Sequence, residues 1–385
     1  MNIILFDSQR ERFFPLSFTR PVSFFRFGIL TIKQKWEYIY KDVSVKTDDY
    51  LQEKFLLHQK DDNLWIDSSV LPSSDLIIEL NNLRIGEGLI CDNIALAFRS
   101  KGFSSDKINF IKSNASVNKL NSLVELFNMN EEQLINDFKL ITKNRKSAFI
   151  DDSNIIIGKN IFIEKGAKVS CSVLNSKLGP IYIAKNAEVM EGSLVRGPFS
   201  LGENSTLKMG AKIYGSTSIG PFCKVGGEIN NSVFFGYSSK AHDGFLGNSI
   251  IGEWCNIGAD SNNSNLKNNY EEVKLWSYEN ERFDKTGLQF CGLVMGDHSK
   301  CGINTMFNTG TIVGVGVNIF GSGFPRNFIP SFNWGGASGF SIHKKHKFFE
   351  TVEKVMSRRS LIFDSVEQNL LNNVYDMTKR YRNEK

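Results

Sequence analysis

An α/β domain, then a parallel β-helix of hexapeptide coils, then a C-terminal helical segment: three observations in the sequence predict this architecture. Strand-like and helix-like stretches alternate over residues 1–145. A six-residue aliphatic period takes over at residue 155 and runs to about residue 325. A helical period returns over residues 343–385.

The chain has 385 residues, more than one compact core usually holds, so several domains are expected. In the first region "NIILF" (2–6) reads as a buried strand, and "LWIDSSVLP" (64–72) as a strand running into a loop. "TIKQKWEYIY" (31–40) and "SLVELFNMNEEQLINDFKLIT" (122–142) space their apolar residues as amphipathic helices do. Alternation of this kind suits an α/β layer structure.

The second region repeats differently. Ile157, Ile163 and Val169 are six apart. After a slip the same interval runs unbroken through Ile183, Val189, Val195, Leu201, Leu207, Ile213, Ile219 and Val225. It returns at Ile251 and Ile257, and again at Met295, Cys301, Phe307, Val313 and Ile319. Neither a helix nor an ordinary strand repeats at six, but a solenoid of one short strand and one turn per hexad does. The aliphatic residue then points inward, and three hexads close one triangular coil. Glycine follows the periodic residue at several coils, as tight turns favour. In the tail, Phe348, Phe349, Val352, Val355 and Met356 follow helical spacing, and their apolar face is expected to cap a neighbour or form an assembly contact.

Composition narrows the function classes. The apolar fraction is 41%, no apolar run reaches a membrane span, and the N-terminus lacks the pattern of a secretory signal. The six cysteines form no CxxC pair, which suits reduced thiols and a cytoplasmic setting. A net charge of +5 without a basic stripe suits phosphorylated small molecules and argues against nucleic acid as a partner.

The repeat resembles the left-handed hexapeptide β-helix of acyltransferases, and that resemblance implies homotrimers with sites between subunits. The other use of such helices, the γ-class carbonic anhydrases, needs three histidines converging on zinc. The repeat here holds only His242 and His298, with His58, His343 and His346 outside it.

One stretch is more specific. "KAHDGFLGNSIIGEWCNIGADSNNSN" (240–265) carries a histidine, Leu246-Gly247, Ile251-Gly252, Asn256-Ile257-Gly258-Ala259 and then Asn265. In order and spacing it resembles the acetyltransferase half of the GlmU family, bifunctional enzymes that make UDP-N-acetylglucosamine. The resemblance implies that His242 is the general base, that Asn265 and Asn256 belong to the site, and that the Ala259 amide meets the acyl thioester. A neutral imidazole suits the task, since its pKa lies near working pH and it can take the proton of an attacking amine. Amide donors can stabilise the oxyanion that follows. Phe245 stands where the family has tyrosine, so one hydroxyl is lost. Lys212 and Lys224, on preceding coils, are candidates for the sugar phosphate. Residues 266–292 lack hexad phase and read as an inserted loop over the site, with Lys274 a candidate contact.

"RERFFPLSFTRPVSFFRFG" (10–28) resembles the opening loop of sugar nucleotidyltransferases, through Arg12, Pro15-Leu16-Ser17 and Arg20-Pro21. The glycine-rich phosphate loop expected before it is replaced by "DSQRE", which removes the close backbone approach that glycines allow. The whole chain resembles a GlmU-like variant of the Bacteroidetes type with a short N-terminal domain. That resemblance implies that Arg12, Arg20 and Arg26 bind nucleotide or sugar phosphate, with Asp67 a candidate ligand for Mg²⁺. It also implies acetyl-CoA and UTP as cosubstrates, small-molecule partners without nucleic acid or membrane, and a homotrimer. Two other readings stay open: an acyltransferase whose first domain is inactive, and a nucleotide-sensing scaffold without catalysis.

Overall fold

The structure is a computed structural model that describes residues 1–382. The chain divides into two compact units. The first comprises residues 1–13, 19–25 and 30–123; the second comprises 14–18, 26–29 and 124 onward.

The first unit is built on a six-stranded sheet: β1 (Asn2–Phe6), β2 (Val43–Lys46), β3 (Asn63–Asp67), β4 (Glu87–Cys91), β5 (Ile94–Ser100) and β6 (Asn109–Lys112). The order is β2-β1-β3-β5-β4-β6, with β1 parallel to both its neighbours and β5 antiparallel to β3 and β4. Every residue of β1 and β3 is buried, as the continuous apolar runs predict for central strands. The helix Ile32–Glu37 begins in a reciprocal capping box: Gln34 N–H donates to Thr31 Oγ1, and Thr31 N–H donates back to Gln34 Oε1. Trp36 on that helix is fully buried and donates its indole N–H to the Val70 carbonyl at 3.0 Å.

The second unit is a left-handed parallel β-helix with C-terminal helices. Its first face has six strands, from Ile155–Ile157 to Phe245–Gly247. Its second has nine, from Ile161–Ile163 to Phe328–Ile329. Its third runs from Lys168–Val169 to Asn333–Gly336, and Gly339–Ile342 closes it antiparallel. The hexad residues stack in register, for example Val169, Val189, Leu207 and Val225. From Ile163 onward they are buried in one continuous column. Each such side chain contributes about 1.5–3 kcal/mol by leaving water.

The hexad repeat breaks after Val225 because the coil lengths change there. The coils there are irregular, with Ile229, Phe234, Leu246 and Ile251 as inward residues, and Lys240 stands opposite Val225 in the ladder. A lysine, 1% exposed, therefore takes a place in an apolar column.

The predicted helix at 122–142 appears as Glu125–Asn128 and Asn130–Thr142, and both belong to the second unit. Asn130 and Asp137 are buried on it and bind the segment 26–29: the Gly28 and Ile29 amides donate to Asn130 Oδ1 (3.0 Å) and Asp137 Oδ2 (2.9 Å). Gly28 has φ +89°, and a Cβ there would lie 2.9 Å from the Gln133 carbonyl carbon. The tail forms two helices, Lys345–Ser357 and Ser365–Met377. Phe348, Val352 and Met356 are buried on the first, against the same chain's β-helix.

Candidate active sites

His242 stands at the corner where the chain leaves the third face (Ser239–Lys240) for the first (Phe245–Gly247), and it is exposed. Its main chain is held from inside. Lys240 donates from Nζ to the His242 carbonyl at 2.5 Å and to the Asp243 carbonyl at 3.2 Å. Burial pushes the Lys240 ammonium down to about 8. The corner rests on Gly227 of the coil below, where a Cβ would come within 2.9 Å of the His242 carbonyl oxygen. From the coil above, Asp260 N–H donates to the Asp243 carbonyl at 3.0 Å.

The asparagine-rich stretch frames this corner. Asn262 Oδ1 accepts from the Phe245 amide (2.7 Å), and Asn263 Oδ1 accepts from the Gly247 amide (2.9 Å). These two were not singled out from the sequence; their signal was only asparagine density. Asn265 donates to Asn248 Oδ1 at 2.8 Å. The Phe245 ring and the Asn265 amide converge over Gly247, where a Cβ would meet them at 2.5 and 2.7 Å. Ala259 is half-buried one coil above, and its carbonyl accepts from the Asn304 amide.

The remaining candidates separate by face. Lys224 and Asn256 are exposed on the third face, in one row with Ser239 and Lys300. Lys212 lies on the first face, in the row of Glu228 and Phe245. Lys274 sits on the hairpin Lys274–Ser277/Arg282–Lys285, across from Lys285. That hairpin packs Trp276 on Phe328, a second-face residue, with ring centroids 4.3 Å apart.

In the first unit a cavity of only about 10 Å³ lies at the C-terminal ends of β1 and β3, the side of an α/β sheet where ligands bind. Asp7, Ser8, Arg12, Asp67, Ser69 and Lys119 line it. Asp67 accepts from Ser8 Oγ, from the Ser69 amide and hydroxyl, and from Lys119 Nζ at 3.4 Å. Asp7, which no motif marks in the sequence, is half-buried as a residue, but its side chain is only 1% exposed. Burial raises its carboxyl to about 6, against the lowering pull of the Thr47 hydroxyl at 2.6 Å and of Arg10.

Residues 3–146 match the family model described as sugar nucleotidyl transferase.

That matched region contains Arg12, Arg20, Arg26, Asp7 and Asp67, and the structure treats them differently. Arg12 is exposed at the cleft, whereas Arg20 is 6% exposed. Arg26 belongs to the second unit, where its guanidinium donates to the carbonyls of Phe235 (3.2 Å) and Ile29. Its described bonds are to main chain of the β-helix unit rather than to the β1/β3 cleft.

Among solved structures, an Arabidopsis UDP-N-acetylglucosamine acyltransferase aligns at 13% identity over 62% of this chain and 91% of its own, with a TM-score of 0.21. The Francisella novicida UDP-N-acetylglucosamine acyltransferase aligns at 12% identity over 59% and 89%, with a TM-score of 0.26. A polysialic acid O-acetyltransferase aligns at 14% over 49% and 84%, with a TM-score of 0.16. No curated protein sequence matches. Among the described residues no helix is long and apolar enough to cross a membrane, and no cluster of three or more His, Cys, Asp or Glu could hold a metal ion.

Proposed function

We propose that the protein makes a nucleotide sugar in two steps: acetyl transfer from acetyl-CoA to glucosamine-1-phosphate on the β-helix, and uridylyl transfer from UTP in the first unit. The observation that carries the first step is the His242 corner. An exposed imidazole is fixed to a main chain pinned from within by Lys240, with Phe245 and Asn265 on the first-face side of the corner and Ala259 one coil above.

In this reading the His242 imidazole accepts the proton as the substrate amine attacks the thioester carbonyl. The tetrahedral oxyanion takes a hydrogen bond from a main-chain amide such as that of Ala259, and the coenzyme thiol leaves. Asn265 and Asn256 orient the sugar without adding charge. Lys224 on the third face, Lys212 on the first and Lys274 on the hairpin are the cations offered to its phosphate. Sites at coil corners favour a homotrimer, in which a neighbour's face completes each cleft. A cytoplasmic setting suits these substrates.

For the second step, the residues at the β1/β3 cleft fit a Mg²⁺ ion. Asp7 and Asp67 would offer it the one or two carboxylates that Mg²⁺ takes from protein, Asp67 after giving up part of its contacts with Ser8, Ser69 and Lys119. The ion, when bound, would neutralise phosphate charge during transfer. Arg12 would hold phosphate oxygens from the open side, and Lys119 would yield its place at Asp67.

A second reading is favoured by one feature. β1 leads into Asp7-Ser8-Gln9-Arg10 rather than a glycine loop, and the Asp67 carboxylate is already satisfied by Ser8, Ser69 and Lys119. An inactive first unit would leave an acyltransferase only. Mass spectrometry of products from the purified protein with glucosamine-1-phosphate, acetyl-CoA, UTP and Mg²⁺ separates the cases. UDP-N-acetylglucosamine supports the full proposal, N-acetylglucosamine-1-phosphate alone supports the second reading, and unchanged substrates contradict both.

A further inference from the structure

The third face of the β-helix carries a cavity of about 350 Å³, and two residues offered to the substrate above, Lys224 and Asn256, lie in it. Lys224, Asn256 and Lys300 line its floor. Tyr237 and Trp254 line one side, and Arg358 and Arg359, just after the helix Lys345–Ser357, close the other. Three independent features meet there.

The first is charge. Four cationic side chains line the cavity and no carboxylate does; Glu203 and Glu253 act on Tyr237 from outside the lining. Cations kept together without a counter-carboxylate repel each other, and an anion relieves that repulsion.

The second is position. Lys300 is half-buried, its Nζ donating to the His298 carbonyl at 3.1 Å, and burial lowers its pKa. Arg359 is anchored through Nη2 to the Phe222 carbonyl at 3.0 Å. These two heads are held in place before any ligand arrives, which lowers the entropic cost of capturing one. Arg358 is exposed at the rim.

The third is a ladder of rings. At one corner of successive coils the left-handed backbone position is taken by Phe222, Tyr237, Trp254 and His298. Phe222 stacks on Tyr237 (4.9 Å) and Tyr237 on Trp254 (4.3 Å), so the cavity wall is rigid, flat and aromatic. Positive φ is costly for bulky residues. The stacking offsets that cost and aligns the rings along the cavity.

We propose that this cavity binds the phosphate group of a phosphorylated small molecule, with Lys224, Lys300, Arg358 and Arg359 as its cationic ligands. The paired guanidinium groups suit phosphate oxygens, and the ring wall suits a planar or sugar moiety attached to them. Two sources share this chemistry: the nucleotide end of a coenzyme A thioester and a sugar phosphate. The site does not depend on His242 being a base, and its test involves no turnover.

The test uses the full chain labelled with fluorotryptophan, reading the fluorine resonance of Trp254, identified by its loss in Trp254→Phe. Inorganic pyrophosphate is the probe. It should shift the Trp254 resonance saturably, and more weakly at high salt. Arg358→Gln, at an exposed position, should raise the half-saturating concentration by about 10-fold or more, as loss of a charge-assisted bond does. Arg196→Gln, on the first face, should leave it unchanged. Displacement of pyrophosphate by coenzyme A assigns the site to the acyl donor, displacement by glucosamine-1-phosphate assigns it to the acceptor, and displacement by neither assigns it to free phosphoanions. A Trp254 resonance indifferent to pyrophosphate, or equal affinity in Arg358→Gln, overturns the proposal.

Discussion

The ammonium of Lys240 lies 2.5 Å from the carbonyl oxygen of His242, reaching it from inside an otherwise apolar column. An inward lysine is costly, and its compensation is local: it satisfies two carbonyls of the corner that carries the exposed imidazole. Core and candidate site are thus joined through one side chain.

That relationship has a pH signature. The folded-state pKa of Lys240 is lowered to about 8 from its ordinary 10.5, so between these values the unfolded chain holds more protons than the folded one. Its contribution to stability is complete above 10.5 and is lost as pH falls through about 8. Thermal midpoints of wild type and Lys240→Met, compared from pH 7 to 10, should show wild type gaining on the variant as pH rises. A constant difference would contradict the account. Acetyl transfer by Lys240→Met should fall by roughly 10- to 100-fold through displacement of His242.

In the first unit, Arg12→Ala is the cleaner test of nucleotide binding. Arg12 is exposed at the β1/β3 cleft, so its loss should slow pyrophosphate release from UTP by about 10-fold or more while acetyl transfer is unchanged. Arg20→Ala should also abolish pyrophosphate release and leave acetylation intact. Because Arg20 is 6% exposed, its variant should lower the thermal midpoint as well. Wild-type pyrophosphate release in both variants would remove the arginines from the site.

Much of the β-helix was legible because its determinant is local: an aliphatic residue every six positions is buried every six positions. The reading failed between Val225 and Ile251, where coil lengths vary and the inward residue is once a lysine. The unit that Arg26 joins was not legible either. Whether residues 26–29 join one unit or the other is decided by Asn130 and Asp137, about a hundred positions later, and no local pattern announces that pairing. Asp7 carries no motif that marks it, since it stands in the segment that replaces a glycine loop. His242 was visible through its neighbours' spacing, but Lys240, two residues earlier, looked like any surface lysine.

The tail helix should prove structural. Phe348 is 2% exposed and packs edge-on against Phe332 and His298, over Gly316. Phe348→Ala should cost about 3–5 kcal/mol, measured by denaturant unfolding. An unchanged midpoint would mean that the helix is not docked.

The proposed homotrimer would cover apolar side chains of the first face, where Ile155 and Leu194 are 60% and 51% exposed. Light scattering should report a trimer, and Leu194→Lys should shift it toward monomer. A wild-type monomer at micromolar concentration would contradict the proposed assembly.

The central claim, that His242 is the base, is tested most directly by His242→Ala with turnover and thermal midpoint measured on the same sample. The side chain is exposed, so the midpoint should barely move, while acetyl transfer should fall by about 10²- to 10⁴-fold, less at high pH where the substrate amine is already neutral. Near-normal turnover with a lowered midpoint would contradict the account.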